Sequence, residues 1–463
     1  MNNIFNQNYN SHKKLILFIL SFISILAIAF LAFFPMTFLL VVAILAVLLF
    51  FAIKPEIGLY LMVFFLPVIH LVFNYKSLEI PLIDLIGLIV GVSFFIRVIY
   101  FYFFDNKVFN ISEKIKWPYL FAFLLFFSAT IISSLLSDNI ISSLWYSLRW
   151  ILFFYLIYLV LPFNIIKNEK ILKNAIIVFV ISGLSIAVLS FISLYFQDWQ
   201  NEFVRVKPFG WNNIYPLGQN QNLLAEIWLG TIFFIIALKY WFNSVFFKKI
   251  VNIIVIFLVL MLLGTFSRAA WLILLAQLFI YFLYKRKLII KKNITLAVLI
   301  LVILFPLFIY MSKMQSQYNI GQSSTENRQL LAQISLQAFI NKPIFGWGSG
   351  EFINLVANNV RFRAKFGEPM DSHGIWQKVL AENGLVGVIT FAIFSFCIFK
   401  DFFISIKKYR EKINLLLPLI IGCFGVFLFE FFNTSYYAGK LWLVVALVMA
   451  SIKIISKNKI YDK

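Results

Sequence analysis

The apolar positions of this chain fall in long unbroken blocks separated by short polar connections, without the one-sided stripe of a surface helix. The blocks run to about 17–25 residues, the length that carries a helix across roughly 30 Å of hydrocarbon. Barrel strands would alternate over about 10 residues, and this pattern does not. The pattern predicts spans near 15–34, 36–53, 57–73, 82–104, 118–136, 143–162, 172–196, 222–241, 246–264, 269–284, 293–311, 384–404, 413–432 and 438–455. Pro35 divides the first two and Pro67 interrupts the third, so a re-entrant or tilted hairpin near the N-terminus brings the expected number to about 12–14. The fold class is an all-α polytopic membrane protein, and the chain is treated as one membrane domain over 1–463. The first block follows Lys13 and Lys14 but is longer than a signal-peptide core and precedes no clear cleavage site, so it is read as an uncleaved span.

One long polar interval, 312–383, breaks this rhythm and is too long for an ordinary connection. Ser323 and Glu326 read as a capping box opening a helix with Leu330, Leu331, Ile334 and Ala338 on one face. Lys342-Pro343 ends that helix, and Gly346, Gly348 and Gly350 form a turn. A further helix is expected from Asp371 or Ser372 to Asn383-Gly384, where the next span begins.

Composition agrees with the pattern: 62% of residues are hydrophobic and 13% charged, about half the charge of a soluble domain. A net charge of +21 would suggest a nucleic-acid partner in a soluble protein, but topology accounts for it. With the N-terminus in the cytoplasm, the lysine clusters at 114–116, 167–173, 248–249, 285–292, 407–412 and 453–463 all fall on the inner side. This is the positive-inside rule, and the expected neighbour is the lipid bilayer with its anionic headgroups, not nucleic acid. The same orientation puts 197–221, the turn Gly264 to Arg268 and the interval 312–383 outside. Cys397 and Cys423 lie in apolar blocks and read as small hydrophobes, neither disulfide-bonded nor metal-ligating.

Candidate chemistry gathers on the outer face. His373 stands at the first turn of an expected helix, where the positive helix end disfavours an imidazolium and leaves a neutral base. His12 lies in the cytoplasmic tail. His70 is expected in an apolar span, packed or at the interface. Arg268 sits between two spans on the face where basic residues are disfavoured, which calls for an anionic partner, and a pyrophosphate suits its planar fork. Arg328 reads either as a second fork or as part of a solvated helix face, and Arg205 and Lys207 are further candidates for phosphate contact. Arg361, Arg363 and Lys365 read as solvated surface. Glu226 and Glu430 are ionisable groups within or at the ends of spans, either functional or paired with an arginine. No pair of acids has the spacing of a metal site, and the 346–350 turn lacks the Gly-Lys-Ser/Thr of a nucleotide loop.

Several segments taken together resemble the family of bacterial O-antigen ligases and polymerases. They are Arg205, Gly218-Gln219-Asn220-Gln221-Asn222-Leu223-Leu224-Ala225, Thr265-Phe266-Ser267-Arg268, Asn327-Arg328, Asn341-Lys342-Pro343-Ile344-Phe345-Gly346-Trp347-Gly348, Ser372-His373, and Glu382-Asn383-Gly384-Leu385-Val386-Gly387. The likeness covers roughly 200–440, with 312–383 as the external catalytic loop. Gly374 follows the histidine where family members often have Asn. The resemblance implies a GT-C-like helical bundle in the bacterial cytoplasmic membrane with its site on the outer face. It implies transfer of a glycan from a polyprenyl-diphosphate carrier to a glycolipid or glycan acceptor, with no cofactor, sugar nucleotide or metal. His373, Arg268 and Arg328 would be catalytic, and Arg205, Lys207 and Glu430 substrate-binding. A polymerase that extends carrier-linked repeats is the alternative within the family. A transporter or lipid flippase is the alternative outside it, although paired repeats and midplane ionisable residues would then be expected.

Overall fold

A computed structural model describes residues 35–75, 78–103, 115–198, 204–211, 214–284, 309, 320–433 and 437–461. The expected spans at 15–34 and 293–311, the tail with His12, and 312–319 lie outside the described residues. The protein is all-α and polytopic. Among the described residues, eight helices are long and apolar enough to cross a membrane, or nine if the broken pair near the N-terminus counts as one span. Two shorter apolar helices cover Leu120–Leu135 and Arg268–Tyr284.

The chain divides into two compact units, Met1–Ile57 with Ile89–Ser112, and Gly58–Leu88 with Glu113–Lys463. In the first, α1 (Pro35–Ile53) is apolar on every side and exposes most of its side chains, as a lipid-facing helix does. The Arg97 guanidinium donates to the carbonyls of Ala52 (3.0 Å) and Ile53 (3.3 Å), which the end of α1 leaves without amide partners.

α2 (Pro55–Phe64) stops before Pro67, so the span expected over 57–73 is not continuous. Residues 65–71 are turn and loop, followed by an antiparallel hairpin, β1 (Val72–Tyr75) and β2 (Leu78–Pro81), in which Val72 pairs with Pro81. His70 therefore lies in the loop before β1 and not in a span, with its amide on the Pro216 carbonyl at 3.2 Å and its ring against Gly218.

The second unit continues with the start of α3 (Leu82–Phe103), α4 (Leu120–Leu135), α5 (Ile140–Ile165), α6 (Glu169–Ser193), α7 (Gln221–Leu238), α8 (Val245–Gly264) and α9 (Arg268–Tyr284). Half of α5 is wound as a π-helix, over Ser147–Leu152 and Phe154–Val160, a winding often found beside functional sites. The long polar interval forms α10 (Ile320–Asn341), α11 (Phe352–Ala357) and α12 (Val360–Phe366). The bundle closes with α13 (Ile375–Lys408), α14 (Ile413–Phe429) and α15 (Gly439–Tyr461).

The centre of this unit is the pair α7 and α14, buried on nearly all sides. Gly422 lets the backbones approach: a Cβ there would stand 3.1 Å from the Gly230 carbonyl oxygen. The buried Gln277 amide donates to the carbonyls of Leu229 (3.2 Å) and Ile421 (2.8 Å), fixing α9 to both. Cys397 and Cys423 are free thiols within helices, as expected of small hydrophobes.

Candidate active site

The polar interval folds on a core of its own. Leu330, Leu331, Ile334 and Ala338, the face expected of α10, pack with Phe352, Val356, Phe362 and Ala381. The expected capping box does not form: α10 begins at Ile320, upstream of Ser323, and Glu326 pairs with Lys365 at 2.6 Å. Arg361, Arg363 and Lys365 are exposed.

α13 carries a break at Gly384 (φ 62°, ψ −160°), where the sequence places the join between loop helix and span. The 343–348 segment satisfies the groups that the break frees. The amides of Leu385 and Val386 donate to the carbonyls of Pro343 and Ile344, and those of Trp347 and Gly348 donate to Ala381 and Glu382. The Ser133 hydroxyl adds a bond to the Glu382 carbonyl at 2.6 Å, and Ser143 holds the Ser349 carbonyl at 2.8 Å. The glycine turn is a splint for a broken helix.

Every sequence-predicted site residue lies at this end of the bundle. Arg268 is the first residue of α9, after a turn in which Phe266 takes a left-handed φ of 56° and Thr265 accepts the Ser267 amide at 3.2 Å. A cation at a helix N-terminus is opposed by the helix dipole, while an anion there is favoured by the dipole, the free amides and the guanidinium together. Segment 204–211 lies beside this turn. The Val206 amide bonds the Gly264 carbonyl at 2.8 Å, Arg205 is clasped through its backbone by the Gln197 amide, and Ser193 holds the Lys207 carbonyl. The backbone carrying Arg205 and Lys207 is thus tied to the turn that precedes Arg268.

Arg328 is half-buried on α10, and its Nε has no acceptor. Burial first, and then the charge of Arg268, lower its affinity for its proton. The neighbouring Asn327 amide reaches the Met370 sulfur at 3.0 Å, which brings the Asn-Arg pair to the segment carrying the histidine. Among the described residues neither Arg268 nor Arg328 has a carboxylate partner.

His373 precedes the N-cap of α13, Gly374, and so stands just before the helix instead of in its first turn. Its amide donates to the Gln377 side chain at 3.1 Å. Burial first, then the Arg328 charge, hold the imidazole below its ordinary 6.5, against a smaller upward pull from Asp371. The imidazole is thus held toward its neutral form, by burial and an arginine in place of the helix end.

Glu430 is fully buried, and the partner is a lysine where the sequence suggested an arginine: Lys440 lies 3.6 Å from Glu430 and also pairs with Glu226. The adjoining Phe431 carbonyl packs on Gly374, so this turn borders the histidine without placing Glu430 in the open site. Sequence reasoning missed Lys440 and Lys378. Both fall in segments that the lysine distribution assigns by expectation to the outer face, where basic residues are disfavoured, the same signal that picked out Arg268. Among the described residues no group of three His, Cys, Asp or Glu is placed to hold a metal ion. Elsewhere in the bundle Lys412 meets Tyr240, Lys239 meets Asn252 and Lys173 covers Phe242.

Fold and site together define a polytopic helical membrane protein with a polar helical loop folded over one end. Residues 253–392 match the family described as O-antigen ligase, so this part of the chain is similar to that family. It includes Arg268, Arg328 and His373; Arg205, Lys207 and Glu430 fall outside it. The match supports glycan transfer of the ligase or polymerase type. A comparison with curated proteins gave no match.

Proposed function

We propose that the protein transfers a glycan from a polyprenyl-diphosphate carrier to an acceptor hydroxyl at the outer face of the cytoplasmic membrane. The observation that carries this reading is the half-buried Arg328, within electrostatic reach of both Arg268 and His373, with an Nε that has no acceptor. Two guanidinium groups held near each other without a carboxylate repel one another until an anion arrives, and a diphosphate accepts bidentate bonds from both.

In the proposed reaction the acceptor hydroxyl attacks the anomeric carbon, and the bond from that carbon to the diphosphate oxygen breaks. The bonding electrons leave with the diphosphate, whose growing charge Arg268 and Arg328 stabilise. His373 takes the hydroxyl proton, and attack opposite the leaving group inverts the anomeric configuration. Arg205 and Lys207 flank the donor phosphates, the 312–383 interval is the catalytic loop, and the apolar spans hold the carrier chain. Glu430 is proposed to contact substrate only through the turn it shares with Phe431.

The test is deletion of the gene in its host, complemented at matched expression by wild type, His373→Ala or Arg268→Ala, with surface and carrier-linked glycans compared. Long polymer retained on the carrier identifies a ligase, and single repeats in place of chains identify a polymerase. Unchanged glycans in every strain would overturn the reading.

A further inference from the structure

Lys378 is 1% exposed, and its ammonium lies 2.5 Å from Asp371 and 3.8 Å from Glu382. The rings of Tyr146 and Tyr437 stand over it at 5.3 and 5.4 Å. Glu382 is itself held in place, accepting the Phe352 amide at 3.2 Å beside the helix break. The lysine is thus anchored on the rigid side of the site. Asp371, by contrast, belongs to the short irregular segment that carries His373, two residues further on. Among the described residues, this pair is the ionic tie from that segment to the helix behind it.

We propose that Lys378 is a positioning residue: by holding the Asp371 carboxylate on its ammonium, it fixes the turn that presents His373 and withholds that carboxylate from the imidazole. The inference rests on His373 being the base proposed above. A buried ammonium without its carboxylate is costly, so the pair keeps the turn drawn against α13. The other groups bearing on the imidazole come from neighbouring elements. Arg328 on α10 acts directly, with Arg268 of α9 behind it. Glu382 of α13, Tyr146 of α5 and Tyr437 ahead of α15 surround the lysine. The cluster of Glu430, Glu226 and Lys440 borders the turn through Phe431. Of these groups, Asp371 is the carboxylate nearest His373 in sequence, and Lys378 alone pairs with it among the described residues.

The experiment titrates His373 by NMR in full-length, histidine-labelled protein in detergent, with the signal assigned by His373→Gln. This reads the imidazole without reference to glycan transfer. Lys378→Met frees the carboxylate and is expected to raise the His373 midpoint by about one pH unit. Asp371→Asn is expected to lower it, and the double variant to follow Asp371→Asn. A Lys378→Met midpoint equal to wild type, or a double variant that follows Lys378→Met, overturns the proposal. If Lys378→Met does not accumulate folded, Lys378→Gln is titrated in its place: a raised midpoint supports the proposal and an unchanged midpoint sinks it. Transfer by His373→Ala is assayed separately, and activity retained there would remove the catalytic reading while leaving the titration result intact.

Discussion

The Ser335 hydroxyl donates to the main-chain carbonyl of Gln377 at 2.7 Å in a fully buried contact, joining α10, which carries Arg328, to the first turn of α13, which His373 precedes. Gln377 in turn accepts the His373 amide, so one short chain of hydrogen bonds sets the spacing of arginine and histidine. Ser335→Ala removes this tie while creating almost no void. The loss is expected to be about 1 kcal/mol of stability, with kcat falling further than binding because the two groups are less well placed. Thermal unfolding and transfer kinetics on the purified protein would check this. An unchanged kcat beside the stability loss would restrict Ser335 to a structural role.

The histidine gives a pH signature of definite sign. Neutral imidazole is the working form of a base, and the His373 midpoint lies below 6.5 in the folded protein. The acidic limb of kcat/KM should therefore fall below pH 6.5. Arg328→Gln removes one cause of the depression and should move the limb of its residual activity upward. Stability follows the same linkage: the unfolded chain binds the extra proton, so this contribution is complete above pH 6.5 and is lost as pH falls toward the folded midpoint. Coincident limbs in wild type and Arg328→Gln would dismiss the arginine as the cause.

Much of this architecture is legible in the sequence, because a span is a composition and a length. Most predicted span ends lie within a few residues of α1 and α3 to α9, and the apolar face of α10 and the break at Gly384 were equally readable. The failures have local causes. The span over 57–73 was drawn through Pro67, and the chain turns instead into the hairpin Val72–Pro81. Ser323 with Glu326 matched a capping box, but Glu326 has a partner in Lys365 that no local pattern contains. The cluster of Glu226, Glu430 and Lys440 joins three distant elements, and the pairing of Asp371 with Lys378 crosses a helix start, so neither is visible until the chain folds.

Arginine should not be replaceable by lysine at 268 or 328. Both substitutions keep the charge, but an ammonium gives a point contact where the planar fork gives two parallel bonds. Alanine at either site is expected to lower kcat by about 10²-fold or more, and lysine to recover only part of that. The measurement is transfer from a synthetic carrier-diphosphate glycan in proteoliposomes. Full recovery by lysine at both positions would mean that charge alone suffices and would weaken the case for bidentate diphosphate binding.

The break in α13 provides the last test, through two glycines that share a positive φ and differ in surroundings. Gly384 (φ 62°) lies where an added Cβ would come within 2.5 Å of the Ile344 carbonyl oxygen and 2.7 Å of the Gly346 nitrogen, both backbone atoms of the splint. Gly367 (φ 78°) has nothing within 4 Å of that position. Alanine at 367 therefore bears only the backbone strain of a sparsely populated positive-φ conformation, about 1–3 kcal/mol. Alanine at 384 bears that strain and also pushes apart the hydrogen bonds joining 343–348 to the helix. Gly384→Ala is expected to lose most folded protein and all transfer, whereas Gly367→Ala retains both with a modest fall in unfolding temperature. Equal behaviour of the two variants in detergent-solubilised yield and thermal unfolding would show that backbone conformation alone governs the break and that the splint adds nothing.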